Sequence, residues 1–273
     1  MKYELLQNDT KVFADSTLYR IRALVAIGGL VNVGDLGGYI EKESNLSQGP
    51  DNAWVWGNAL VWGNARVWGD ALVWGNARVW GNAQVGGDAR VHGNAQVQDD
   101  AQVFGNAVVF GNARLLDEVW VSDNAQVSDN ALVWGNAKVW DDAWVWGNAR
   151  VWGDARICGD AWVSGHAQVC GNAQVSGNAW VSDNAQVWGD ARVFDRNSIF
   201  WVSGIGQEYA TLTVARTSGK ELFVCHGWFS GSDSEFLNAI EETHGTQSKV
   251  GREYGMLLDF ARFRLGTDQG EAG

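Results

Sequence analysis

Among the 273 residues, 20 Lys and Arg stand against 32 Asp and Glu, a formal net charge of −12. That balance favours solubility and argues against wrapping a nucleic-acid backbone, which needs a strongly basic surface. With 35 glycines, 1 proline and 3 cysteines, the chain fits neither collagen, proline-rich disorder nor a disulfide framework.

In chain order, residues 1–50 contain Leu18-Tyr19-Arg20-Ile21-Arg22-Ala23-Leu24, then Gly34-Asp35-Leu36-Gly37-Gly38-Tyr39-Ile40, then Ser44-Asn45-Leu46-Ser47. These read as short strands and turns of a capping segment that covers an open solenoid end. The start of the chain has no long apolar run of signal-peptide type, and no apolar run reaches the length of a membrane span, so a cytoplasmic setting is expected.

Residues 51–196 hold one phrase, A-x-V-W/S-G/D-N. It is in phase from Ala53-Trp54-Val55-Trp56-Gly57-Asn58 to Ala191-Arg192-Val193-Phe194-Asp195-Arg196, twenty-four hexads without a register slip. Ala and Val lie two residues apart and therefore face the same side of a short strand, while the residues flanking Val face the other side. Gly-Asn, Gly-Asp or Asp-Asn supplies the bend, since Gly, Asn and Asp tolerate left-handed dihedrals. Three bends close a coil of 18 residues, so eight coils are expected, with Val stacked on Val and Ala on Ala inside.

Beyond Arg196 the hexads stop. Ile199–Val202, Ala210–Ala215 and Leu222–Cys225 read as strands. A helix is expected from Ser232 or Asp233 through Glu242. A second, from Val250 to about Leu265, carries Tyr254, Leu257, Leu258, Ala261 and Leu265 at helical spacing. This places a small α/β domain at 197–267 and a polar tail at 268–273.

The hexads resemble the hexapeptide-repeat left-handed parallel β-helix family, found in many acyltransferases. The resemblance covers somewhat over half the chain and implies a mainly β fold, a left-handed parallel β-helix with a small C-terminal α/β domain. Handedness rests on the resemblance, because parallel crossovers are ordinarily right-handed. The phrases D-L-G-G-Y-I and E-x-N-L-S, with Phe229-Ser230-Gly231 and Glu242-Thr243-His244-Gly245 near the C-terminus, are also similar to a phage- and prophage-associated group of repeat proteins. A homotrimer is what the family implies.

The register turns many tryptophans outward. Trp54, Trp56, Trp74, Trp144, Trp146, Trp162 and Trp180 fall on one face, where they can stack as vertical ladders or be buried by association. Arg66, Arg78 and Arg150, one position before Val, can cover rings or make cation–π contacts. His92 and His166 lie within the repeat. A family-type general base would be His92, although no long acceptor loop interrupts the hexads. Asp70 with Asp88, and Asp141 with Asp142 and Asp160, share corner ladders, yet no loop offers the six or seven oxygens of a calcium site. Cys158 and Cys170 lack a zinc-ligand pattern. Cys225 and His226 are neighbours on a strand and point to opposite sides, which opposes activation of the thiol. No phosphate loop, dinucleotide fingerprint or protease motif occurs, so no cofactor and no metal is expected.

The functional expectation is a non-enzymatic phage-associated scaffold or binding protein that recognises a host protein or a small nucleotide, one use being antagonism of host defence. A nucleotide offers a base to Trp and phosphate to Arg. The alternative is a hexapeptide-repeat acyltransferase using acyl-coenzyme A, with His92 as its base.

Overall fold

A computed structural model describes residues 1–266 apart from 14, 207, 217–220 and 228. The expected tail at 268–273 lies outside the described residues. The chain divides into two compact units, Met1–Gly147 and Asn148–Gly273.

In the first unit, β1 (Tyr3–Phe13) and β2 (Ser16–Ala23) form an antiparallel hairpin, and β2 pairs antiparallel with β3 (Leu36–Ile40). The third strand then runs parallel to the hexads, Tyr39 opposite Leu60 and Ile40 opposite Val61. A one-turn 3-10 helix, Glu43–Asn45, follows. Its Asn45 is fully buried and donates to the carbonyls of Gly63 (3.1 Å) and Ala65 (2.8 Å), which closes the polar groups at the start of the solenoid. Lys2 reaches Asp51 at 2.6 Å. Burial alone would raise the Asp51 pKa, but the hydrogen bonds and charge of Lys2 bring it below the ordinary carboxylate value.

From here each hexad contributes one two-residue strand, β4 (Trp54–Val55) to β27 (Arg192–Val193). In the first unit the pairing offset is eighteen residues: Val73, Val91 and Val109 follow one another in parallel register. Every third strand joins the same sheet, so the coil has three sides. The expected interior is borne out, since Ala71, Val73, Ala89, Val91, Ala107 and Val109 are all fully buried. At roughly 1.5–3 kcal/mol for burying one Val side chain, the repeated stack is the main source of stability.

The corners refine the expectation. Left-handed backbone occurs at the Gly or Asp position of the hexad, as at Gly75 (φ 74°) and Asp99 (φ 58°), and not at the Asn that follows. The Asn side chains instead form an amide ladder: Asn76 donates to Asn94 (3.2 Å), Asn94 to Asn112 (3.0 Å) and Asn112 to Asn130 (3.0 Å).

In the second unit the same offset holds, with Val151, Val169 and Val187 in register and Val163 opposite Val181. A four-stranded antiparallel sheet follows: β28 (Ile199–Ile205), β29 (Ala210–Arg216), β30 (Leu222–His226) and β31 (Phe229–Ser232). Three of these strands match the expectation; the fourth was not anticipated, because Phe229-Ser230-Gly231-Ser232 has little strand propensity and forms by pairing with β30. One face of the sheet carries α1 (Asp233–His244) and α2 (Lys249–Leu265) over a core that includes Leu212, Val224, Phe236 and Leu258. The opposite face lies on the last coil: Gln186 donates its amide to Thr213 Oγ1 (2.9 Å) and Trp188 donates Nε1 to the Phe229 carbonyl (3.1 Å). Ser232 caps the first helix in a reciprocal pair with Glu235, and Gly245 ends it at φ 73°. No described helix is long and apolar enough to cross a membrane.

Candidate functional site

The outward aromatic residues divide into internal ladders and open surface. Trp54, expected outward, is fully buried beneath the N-terminal hairpin, where the Tyr3 ring meets it edge-on with ring centres 6.1 Å apart. Trp56 meets Trp54 edge-on at 6.2 Å. Trp62 and Trp80 stack at 5.0 Å with planes 5° apart, and Phe13 closes the end of that pair. Arg78 sits over Phe13, 4.6 Å from the ring centre, in the covering role expected of it but on a ring of the cap. Arg66 and Arg150 are exposed.

His92 is a rung of such a ladder. Its ring stacks on Trp74 at 4.2 Å and on Phe110 at 5.2 Å, so both faces of the imidazole are occupied. Burial, then the neighbouring Arg90 charge, lowers its pKa below the ordinary histidine value. Trp144 and Trp146 lie 4.6 Å apart, and Trp144 also donates Nε1 to Ser128 Oγ at 3.2 Å. That serine is buried.

In the second unit one aromatic pair is open. Trp162 and Trp180 meet edge to face at 5.8 Å, and Trp180 keeps 41% of its surface exposed. The Arg196 guanidinium lies 5.6 Å from the Trp162 ring centre and 5.8 Å from that of Trp180. Sequence reasoning passed over Arg196 because it sits at the last corner, where the hexad pattern dissolves.

The corner carboxylates serve the ladders. Asp70 accepts from the Asn52 backbone (3.0 Å) and side-chain amide (2.9 Å), and Asp142 accepts from Asn124 (2.9 Å). Among the described residues no group of three or more His, Cys, Asp or Glu is placed to hold a metal ion.

Cys225 and His226 do point to opposite sides of their strand. The Cys225 thiol is buried on the side of the last coil, 3.8 Å from the Trp188 carbonyl, and burial pushes its pKa up to about 12. His226 faces the helices, where its Nε2 is 2.8 Å from the Tyr254 hydroxyl. Burial lowers the His226 pKa and raises that of Tyr254, so both are neutral near pH 7. They line a cleft of about 280 Å³ together with Glu208, Phe229, Phe236 and His244. The α2 periodicity marked Tyr254 as a core residue. Nothing local links it to His226, 28 positions earlier on another element.

Three stretches, residues 101–117, 167–183 and 173–187, match the family model described as YdcK beta solenoid repeat. No curated protein matches the chain. The matched stretches lie inside the hexads, and their strands pair in parallel at the eighteen-residue offset. On both grounds the chain is a β-solenoid repeat protein.

Proposed function

We propose that the protein is a non-enzymatic binding scaffold and that the ligand held on its outer face is a small nucleotide. The observation that carries this reading is the grouping of Trp162, Trp180 and Arg196. An exposed indole offers stacking area to a base, and the adjacent guanidinium offers charge-assisted hydrogen bonds to a phosphate. His92, enclosed on both faces, suits a structural rung better than a base that must approach an acceptor. Phage origin, homotrimeric assembly and interference with host defence belong to the same reading, supported by the phage-type phrases near both ends of the sequence.

Calorimetry with ATP tests it. Binding that weakens about tenfold or more in Arg196→Ala, and also in Trp180→Ala, is the expected result. Absence of binding to ATP and to adenosine monophosphate would sink the nucleotide assignment, and a host protein retained in native mass spectrometry would take its place. Coenzyme A binding together with acyl transfer lost in His92→Ala would replace the scaffold reading with the acyltransferase.

A further inference from the structure

We propose that the cleft in the C-terminal domain is a second binding site, built for a small organic amine with an aromatic or aliphatic body. This does not rest on the nucleotide reading, since the cleft is made by β30, β31, α1 and α2 and uses none of the ladder residues.

The apolar part of the cleft comes from Phe229, Phe236 and Ile240. Phe229 and Phe236 lie 5.2 Å apart, and Phe236 meets Tyr254 edge-on at 5.4 Å. A cleft of about 280 Å³ walled by aromatic rings takes a ligand body of roughly ten heavy atoms. The polar end is defined by the pair His226–Tyr254. Whichever way the shared proton points, the pair keeps one donor or acceptor for a ligand: a free Tyr254 O–H if His226 donates, a Tyr254 lone pair if it accepts.

Charge selects the ligand's sign. Glu208 lines the cleft and lies close enough to act electrostatically on both His226 and Tyr254. Glu253 acts on Tyr254 as well, and its carboxylate accepts from the Gly206 amide at 3.3 Å. His226 is neutral, so two carboxylates stand near the cleft with His244 at its rim. An ammonium group is attracted by the carboxylates and by the faces of the aromatic rings, whereas a carboxylate ligand is repelled.

The geometry of the first glycine after β30 agrees with an open mouth: Gly227 is at φ 56°, with nothing within 4 Å of where a side chain would begin.

The experiment is titration calorimetry of the full chain with tyramine, with 3-phenylpropionate as a probe of similar size and opposite charge. Tyramine is expected to bind at one site, phenylpropionate to give no heat, and Glu208→Gln to weaken tyramine roughly tenfold. Glu208 is exposed, so the variant retains its fold, which an unchanged melting temperature verifies. A second variant, Ala239→Phe, fills the cleft from α1 and is expected to abolish tyramine binding with ATP binding unchanged. No heat from tyramine at millimolar concentration, equal affinity for phenylpropionate, or an unaltered affinity in Glu208→Gln overturns the proposal.

Discussion

Asp99, Asp117 and Asp129 hold a left-handed backbone that glycine holds at most corners. Each has a compensation that alanine lacks. The Asp117 carboxylate accepts the Gly135 amide at 3.0 Å, and the Asp129 carboxylate accepts the Gly147 amide at 3.1 Å, one coil further on. At Gly75 a Cβ would approach the Gly93 carbonyl to 3.0 Å. Gly75→Ala should therefore cost about 1–2 kcal/mol, and Gly75→Asp less, because its carboxylate can capture the Gly93 amide; urea denaturation of the two variants would rank them. Cys225 gives a second test. With its thiol pushed up to about 12, it should stay unmodified by iodoacetamide in the folded protein near pH 8 and react once the protein is unfolded, as peptide mass spectrometry would read.

His92 supplies a pH prediction at the same scale. Its folded pKa lies below the 6.5 of the free side chain, so the unfolded chain takes up a proton first as the solution is acidified. Its contribution to stability is complete above pH 6.5 and is lost as pH falls through that value towards the folded pKa. Melting temperature should drop between about pH 7 and pH 5. His92→Phe, which keeps a ring between Trp74 and Phe110, should lessen that drop; an unchanged pH profile would remove His92 from the explanation.

The element is the hexad, and it was legible because period two within a strand and period six along the chain leave one arrangement for Ala and Val. Val133, fully buried and opposite Leu115 on the preceding coil, is the place to test it. Val133→Asp should destabilise by roughly 3 kcal/mol or more, since no partner for the carboxylate lies in an interior of Ala and Val; a small loss in thermal unfolding would contradict the packing. The helices were legible in the same way, α1 through its start at Ser232 or Asp233 and α2 through its apolar spacing, whereas the cap of α2 at Ser248 emerges only in the structure. The strand Phe229–Ser232 was not, because pairing with β30, and no local pattern, makes it a strand.

For the molecule as a whole, the charge of −12 keeps copies apart at low salt, so any assembly must draw on apolar area. The proposed homotrimer is expected to give three times the monomer mass in light scattering at micromolar concentration, and a monomer there would refute it. If the face bearing Trp144 and Trp146 is the interface, the double change Trp144→Ala, Trp146→Ala should lower the assembled fraction. The tilted contact between these two rings, with Trp144 bonded to Ser128, already places part of their area within the chain. What is lost in assembly must then be compared with what is lost in melting temperature.

The sequence by itself determined the coil: its length, the identity of its interior and the position of its bends all follow from steric and burial rules that act over six to eighteen residues. It also marked three of the four strands and both helices that follow the coils, through alternation, a cap at Ser232 and apolar spacing. Tertiary structure alone decided which outward tryptophans are surface. Trp54 is buried because a hairpin from the N-terminus lies across it, and Trp180 is open because its neighbours leave it so. It alone brought Arg196 over two indoles and the His226 imidazole to the Tyr254 hydroxyl. A repeat specifies contacts at its own period, whereas a site is made by residues whose separation obeys no period at all.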